Sequence, residues 1–259
     1  MIRIVKPGTG PKSLITKGSA AEKLVCADYD SCPKDYDSGR KTLPKSKSSI
    51  YNSRAVKRML MTAQHRKCCY CEQIFRAPRD LAVEHFRPKS SARQGRKSKD
   101  SYHPGYYWLV YNWENLLVSC HECNSTYKQV LFPLSNPKRR ARSHHDDIRF
   151  ERPLFVHPVL QDPRDHIRFR DDLPIHRSRI GRVTIEEIGL RRPELTEARL
   201  IELKRLKFFR DVIEDARKHP RNRDLQRLAI EARQFLTSAI RPDALFSSMA
   251  QDFLDTVAI

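Results

Sequence analysis

The chain carries two Cys-x-x-Cys pairs that stand on either side of a Glu-His dipeptide at residues 84–85. The four cysteines are Cys68 and Cys71, then Cys120 and Cys123. A two-residue gap lets both sulfur atoms of a pair face one ion around a tight turn, and four thiolates match the tetrahedral preference of Zn²⁺. The spacing therefore predicts a structural zinc site that closes a small module around the dipeptide.

Other cysteines and histidines leave alternatives to this ligand set. Cys26 and Cys32 are expected to be buried or idle thiols, and Cys69 stands too close to the second cysteine of its pair to share an ion well. His65 or His121 could replace one thiolate. The remaining histidines have no evident partner set, and we expect surface or packing roles for them: His103, His144, His145, His157, His166, His176 and His219.

The charge of the chain points to a polyanionic partner. It has 50 lysines and arginines against 31 acidic residues, a formal charge of +19. Such a field attracts nucleic acid, and DNA is the partner we expect, although charge alone does not separate it from RNA. No apolar run approaches the length of a membrane span, and the first residues lack the apolar stretch of a secretory signal. We therefore expect a cytoplasmic protein that has reduced thiols and no membrane partner.

Hydrophobic periodicity predicts an α+β protein that is mostly helical. Four regions are expected in chain order: a basic N-terminal region with a helix that leads into the zinc-closed module, the module itself, a basic connector with short extended segments, and a helical C-terminal region. They cover residues 1–64, 65–134, 135–183 and 184–259.

The pattern of apolar residues also places individual elements. The expected helices cover residues 53–64, 184–189, 196–219 and 225–236, with one more after Pro242. Extended pieces are expected at residues 153–156 and 166–169. In the N-terminal region, only residues 2–4 and 20–24 are apolar enough for a strand and a turn of helix.

The Glu-His dipeptide has residue types that phosphodiester hydrolysis needs. A neutral imidazole is a good base at neutral pH, so His85 is the candidate that activates a water molecule. A divalent cation stabilises charge on the phosphate, and Glu84 with the amide oxygen of Asn124 are the candidate ligands of Mg²⁺ or Mn²⁺. Basic residues just after the dipeptide are expected to contact the nucleic acid backbone. They are Arg87, Lys89, Arg93, Arg96 and Lys97.

These motifs resemble the zinc-bound branch of the HNH, or ββα-metal, endonucleases. The matching strings are Cys68-x-x-Cys71, Glu84-His85, Asn115-Leu116-Leu117, and Cys120-x-x-Cys123-Asn124 with Lys128. The resemblance implies that His85 is the general base and that Asn115 braces the hairpin and orients that base, with Asn112 as the alternative. It implies that Glu84 and Asn124 hold the metal ion, where Asp and His are more frequent. Lys128 joins the expected nucleic acid contacts.

A longer resemblance links the chain to the PtuB-type HNH proteins. It runs through residues 83–89, 107–117, 132–134 and 162–167 and continues into the helical tail. That family acts in bacterial anti-phage defence of the Septu kind and in some retron systems. Its members work beside a PtuA-type ATPase that resembles ABC and SMC-like ATPases. The resemblance implies a nuclease effector with such a partner.

Two other functions stay open at this point. A non-catalytic zinc-finger protein could bind nucleic acid through the same basic surface, although it would have no need of the Glu-His pair. An RNA-cleaving toxin would use the same backbone chemistry as a DNase, and the sequence does not distinguish the two substrates. Sequence preference, trigger and stoichiometry with a partner are likewise open.

Overall fold

The computed structural model describes residues 1–99 and 101–256. In these residues the helices are α1 (Lys12–Ser31), α2 (Pro33–Asp37), α3 (Ser48–Tyr51), α4 (Arg54–Ala63), α5 (Arg179–Glu187), α6 (Pro193–Lys218), α7 (Arg223–Ala239) and α8 (Ser247–Leu254). The strands are β1 (Leu81–His85), β2 (Ala92–Arg93), β3 (Ser101–Tyr102), β4 (Leu116–Cys120), β5 (Ile167–Arg170) and β6 (Leu173–His176). The α+β class is confirmed, with helices as the larger part.

The strands form three antiparallel pairs, β1 with β4, β2 with β3, and β5 with β6. In the central pair, His85 lies opposite Leu116 and Leu81 lies opposite Cys120. A π-helical segment, Glu122–Lys128, follows β4 directly. The order of strand, strand and helical segment is the one expected for a ββα module, and the assignment to the ββα-metal fold itself stays a prediction.

Helix α4 packs on β4, and the Gln64 side chain just after the helix hydrogen-bonds to the backbone of β4 as a neighbouring strand would. Ser53 begins this helix by accepting a hydrogen bond from the backbone N–H of Val56 (3.4 Å). At its other end, the buried Gln64 side chain donates to the backbone carbonyl of Val118 (2.8 Å) and accepts from the N–H of the same residue (2.8 Å). The backbone N–H and carbonyl of Val118, on the edge of β4 that does not face β1, are therefore paired inside the protein.

The N-terminal region differs from the expectation. Residues 2–4 form no strand, and α1 is a helix of 20 residues where a single turn was expected. Its buried residues are few and widely spaced, so the apolar periodicity is weak; they are Leu14, Gly18 and Tyr29. Gly18 lets the helix approach Tyr111 closely, because a Cβ there would lie 2.7 Å from the Cβ of that tyrosine.

The connector also differs from its predicted form. Residues 153–156 are not a strand and have only an isolated bridge from Pro153 to Leu134, because prolines interrupt the ladder. The piece expected at 166–169 is β5, and the short helix expected at 184–189 is the last part of α5. The four-part division of the chain stays a prediction.

The C-terminal region is helical, as its apolar stripes predicted. Helices α6 and α7 pack along each other, with the rings of Phe209 and Phe235 4.2 Å apart between centroids, and each helix buries an apolar stripe that includes Leu206 or Leu236. Each buried leucine contributes roughly 1.5–3 kcal/mol of hydrophobic stabilisation. Residues 257–259 of the expected helical region lie outside the described part. None of the helices in the described residues is long and apolar enough to cross a membrane.

A buried group of charges connects the first cysteine pair to α8. The carboxylate of Glu72 pairs with the Lys67 ammonium (3.0 Å) and with the amino group of Met1 (2.6 Å). It also accepts hydrogen bonds from Ser247 and Ser248 at the start of α8. Because an isolated buried charge is costly, these partners hold the first residue of the chain, the loop of the first cysteine pair and α8 in one arrangement.

His157 is buried in its neutral form. Its Nδ1 accepts hydrogen bonds from the backbone N–H groups of Val159 (3.3 Å) and Leu160 (3.4 Å). Burial, with the nearby charges of Arg87 and Lys6, lowers the pKa of His157 to about 4. The unfolded imidazole has an ordinary pKa near 6.5, so the native state is stabilised above that pH and loses this contribution as the pH falls from 6.5 toward 4.

We therefore predict that the free energy of unfolding falls by about 2 kcal/mol between pH 7 and pH 5 through this histidine alone. His157→Asn keeps an acceptor at the Nδ1 position but has no proton to gain, so its pH dependence should be shallower by that amount. Urea unfolding at several pH values measures it, with the exposed His219→Asn as control. Equal slopes for His157→Asn and the parent would show that the residue is not held neutral.

Candidate active site

The four cysteines of the two pairs converge, as their spacing predicted. All four are buried, and their sulfur atoms lie within 4.8 Å of one another. The Sγ atoms of Cys71 and Cys120 are 3.8 Å apart, and the backbone N–H of Cys123 donates to the Sγ of Cys120 (3.4 Å). Zinc–sulfur bonds of about 2.3 Å at tetrahedral angles place sulfur atoms roughly 3.8 Å apart. The cluster thus fits a structural metal ion such as zinc.

The surroundings of the cluster suit the charge of such a site. Four thiolates around Zn²⁺ carry a net charge of about −2, and the Arg192 guanidinium donates to the Sγ of Cys123 (3.6 Å). Burial raises the pKa of the Cys68 thiol well above its ordinary value. Metal binding would therefore release protons, and acid would favour loss of the metal.

The alternative ligands do not join this cluster in the described residues. Its members are the four cysteines alone, without His65 or His121. Cys69 is buried, and its backbone N–H donates to the carbonyl of Val118 (3.1 Å). This contact attaches the first cysteine loop to β4 through the main chain.

His85, the predicted base, is held in one tautomer. Its Nε2 lies 3.0 Å from the backbone carbonyl of Val110. A carbonyl oxygen only accepts, so Nε2 has the proton and Nδ1 has the lone pair. Burial, with the nearby charge of Lys89, lowers the pKa of His85 to about 3, and the ring is neutral at neutral pH. Nδ1 is therefore the atom that could accept a proton.

The side chains of Tyr51 and Lys89 pack next to the His85 ring, an arrangement that the sequence did not indicate. Only 7% of the residue is exposed. The ring of Tyr51, at the end of α3, contacts it edge to face with the centroids 4.8 Å apart. The Lys89 ammonium lies 4.4 Å from the centre of the Tyr51 ring and donates to its hydroxyl. The Tyr51 ring therefore lies against His85 and contributes to its burial.

Glu84 points into the protein and pairs with Lys128. Its carboxylate accepts from the Lys128 ammonium at 2.6 Å and from the Tyr70 hydroxyl at 3.1 Å. Burial raises the pKa of Glu84, although the ammonium opposes this shift. Lys128 is fully buried and also donates to the backbone carbonyl of His85 (2.9 Å). As arranged, a cation already occupies the Glu84 carboxylate, and this lysine does not face a nucleic acid backbone.

Asn115 is the asparagine that bridges the hairpin. Its side chain accepts from the N–H of Arg87 (2.7 Å) and donates to the carbonyls of Arg87 and Leu109 (both 3.1 Å). Its backbone carbonyl accepts from Phe86 (2.9 Å). Asn112 instead caps the 3₁₀ turn after it, accepting from the N–H of Asn115 (3.3 Å). Asn115 thus connects the end of β1 to the loop that holds His85 through Val110.

Of the other predicted site residues, two arginines have structural partners. Asn124 is half-buried in the first turn of the π-helical segment. Arg87 pairs with the buried Glu151 carboxylate (2.9 Å). Arg96 donates to the backbone carbonyls of Tyr127 (3.1 Å) and Glu187 (3.0 Å). The two arginines hold the module to its neighbours, so their availability to phosphate is limited in this arrangement.

The remaining predicted phosphate contacts differ in their exposure to solvent. Lys97 is exposed, and Arg93 is half-buried, with its guanidinium 3.5 Å from the amide oxygen of Gln129. Lys89 lines a cleft of about 850 Å³. The cleft is lined by apolar and basic side chains, and none of the described residues that line it is acidic. Its lysines and tyrosines are Lys41, Lys45, Lys47, Lys89, Tyr51, Tyr107 and Tyr111.

This cleft adjoins the His85 ring, because Tyr51 and Val110 line it and both contact His85. Three of its lysines, Lys41, Lys45 and Lys47, come from the segment between α2 and α3. The repeated lysines between residues 41 and 47 indicated in the sequence that this segment is positively charged, but not that it lies beside the cysteine-bracketed module.

We predict that Cys120→Ser lowers the zinc content by about one ion per chain and lowers the melting temperature by more than 10 °C, because the metal cluster joins two segments that are distant in sequence. Zinc analysis after dialysis and thermal unfolding measure the two effects. Cys26→Ser, outside the cluster, should change neither. An unchanged zinc content in Cys120→Ser would contradict the ligand assignment.

Comparison with known proteins gives two relatives of the same name. The chain is 36% identical over 167 residues to the Septu protein PtuB of Bacillus mycoides (strain KBAB4), which covers 61% of this chain and 56% of that relative. It is 31% identical over 102 residues to the Septu protein PtuB of Bacillus thuringiensis, which covers 38% of this chain and 34% of that relative.

The matched part is about half the length of the first relative and a third of the second. No family model matches the chain, and no solved structure matches it. Over the shared segment, the two relatives confirm the resemblance of this chain to the PtuB-type proteins.

Proposed function

We propose that this chain is an HNH-type endonuclease that hydrolyses phosphodiester bonds of nucleic acid, with DNA as the foremost substrate. The observation that supports it most is the neutral His85 imidazole, fixed by the Val110 carbonyl beside a lysine-lined cleft. The Nδ1 atom of His85 would accept the proton of the attacking water. Asn115 would hold the end of β1 and the loop that contains Val110 in place during this proton transfer.

The arrival of substrate would strengthen this base. With a pKa near 3, the buried imidazole is a weak proton acceptor at neutral pH. A phosphate anion beside His85 favours its charged form, and a Lys89 that turns toward the phosphate no longer opposes that form. Displacement of Tyr51 would let water reach the ring. The same binding event would therefore open the site and raise the pKa of the base.

The proposal includes a divalent ion, Mg²⁺ or Mn²⁺, which would stabilise negative charge on the phosphate. Glu84 and Asn124 remain the proposed ligands. The present arrangement does not fit them, because Lys128 occupies the Glu84 carboxylate. Ion binding there would require Lys128 to leave, and the ion requirement is an outcome of the assay below. The zinc held by the four cysteines would be structural.

We further propose a role in anti-phage defence of the Septu kind, in the cytoplasm, with a PtuA-type ATPase as partner. The two relatives named Septu protein PtuB support this role. Because the matched part covers only about half of the first relative, the activity and partner of the whole relative are carried over as proposals.

One alternative has an observation in its favour. The ion pair of Glu84 with Lys128 and the cover over His85 would also suit a zinc-bound protein that binds nucleic acid and does not cut it. The basic cleft would serve that protein equally well. An RNA-cleaving toxin is the second alternative and shares every feature of the proposed site.

We predict that the purified chain nicks supercoiled plasmid with added Mg²⁺ or Mn²⁺, and that His85→Ala reduces the rate at least 100-fold, because general-base catalysis contributes about 10²–10⁴. The exposed His219→Ala is the matched control and should cut at the parental rate. Equal zinc content in all variants excludes loss of the fold.

The assay should include single-stranded RNA and a PtuA-type ATPase as separate arms. Cleavage of RNA alone would favour the toxin. Plasmid binding without cleavage under every condition would favour the zinc-finger alternative. If His85→Ala cut as fast as the parent, the assignment of the base would be wrong.

A further inference from the structure

Three metal-ligating side chains outside the candidate active site meet on the protein surface. They are Asp30, in the last turn of α1, and His144 with His145, in the connector. One ligand atom from each lies within 4.8 Å of the others. His145 Nε2 is 2.9 Å from one carboxylate oxygen of Asp30, and His144 Nε2 is 3.4 Å from the other.

The backbone that carries the two histidines is fixed. The Asp146 carboxylate accepts from the N–H groups of Arg142 (2.8 Å) and Ser143 (3.1 Å), and the Ser143 hydroxyl accepts from the N–H of His145 (3.3 Å). The rings of His144 and His145 are 4.0 Å apart between centroids. Both ε-nitrogens are thus presented in the same direction before any ion arrives.

The neighbours of Asp30 on α1 are also held in place by packing and hydrogen bonds. Tyr29, next to Asp30, stacks on the buried Tyr107 with ring centroids 5.0 Å apart. The hydroxyl of Tyr107 lies 2.7 Å from the Nδ1 of His144. A hydrogen bond to the second ring nitrogen is the usual means by which proteins orient a metal-bound imidazole. This contact leaves Nε2 of His144 directed at Asp30.

The three ligands are reachable from solvent. The side chains of Asp30 and His145 are 45% and 65% exposed, and that of His144 is 20% exposed. An ion can therefore enter without unfolding. The set of two imidazoles and one carboxylate suits borderline divalent ions such as Zn²⁺, Co²⁺ and Ni²⁺, and a fourth position stays open to water.

We propose that Asp30, His144 and His145 bind a second divalent transition-metal ion, independent of the cysteine cluster and of the proposed nuclease chemistry. The ion would join α1 to the connector. Val25 of α1 and Tyr107 line the basic cleft, so the same ion would fix one wall of that cleft. The site would hold that wall in place, with no part in the chemistry at His85.

Cobalt distinguishes the two sites, because sulfur ligands give intense thiolate-to-cobalt absorption and nitrogen and oxygen ligands do not. The protein is first loaded with one equivalent of Zn²⁺ to fill the cysteine cluster. Co²⁺ is then titrated at neutral pH, with calorimetry and absorption spectra recorded together. The parent should bind one further equivalent without the thiolate bands.

His145→Ala and Asp30→Asn should each weaken this second equivalent at least tenfold, because loss of even a hydrogen-bond partner of a metal ligand typically costs about 10–100-fold in affinity. Both positions are exposed, so the substitutions should leave the fold intact. An unchanged amount of zinc in the cysteine cluster verifies this. The exposed His176→Ala is the matched control and should bind like the parent. A parent that binds only one metal ion, or a His145→Ala variant with parental affinity, would overturn the proposal and leave a simple ion pair of Asp30 with the histidines.

Discussion

Four buried sulfur atoms join the first cysteine loop to the end of β4, and the geometry of the candidate site follows from that link. The loop bonds to β4 through the main chain at Val118, which Gln64 also holds. Strand β4 fixes β1, and β1 ends at His85. The C-terminal region contacts the same cluster through Arg192 and the Glu72 charge group. A metal ion at the sulfur atoms would therefore stabilise the whole domain as well as the cysteine loops.

The candidate site also contains a buried pair of opposite charges. Glu84 and Lys128 neutralise each other inside the module, where either one alone would be costly. His85 stays neutral in the same interior, with its proton fixed on Nε2. The structure thus has a neutral, buried imidazole at His85, while positive charge lies outside in the cleft. Binding of an anionic strand at that cleft, as proposed, would supply a physical reason for Tyr51 and Lys89 to move.

The local signals in the sequence predicted what depends on spacing. Cys-x-x-Cys spacing indicated the cluster, apolar periodicity indicated α6 and α7, and the motif indicated Asn115 as the bracing residue. Long-range electrostatic pairs leave no such signal, so the partnership of Glu84 with Lys128 and the meeting of Asp30 with His144 were not foreseen. Helix α1 was missed because few of its residues are buried. The position of Tyr51 over His85 depends on how the N-terminal region folds back, which no local pattern contains.

The most direct test of the account is the protonation state of His85 in the folded protein. Nitrogen-15 NMR of histidine-labelled protein, assigned by comparison with His85→Asn, distinguishes a protonated ring nitrogen from an unprotonated one. The account predicts the neutral tautomer with the proton on Nε2 at pH 7, because the Val110 carbonyl accepts from that atom. A proton on Nδ1, or a doubly protonated ring at pH 7, would contradict the claim that His85 is held ready to accept a proton.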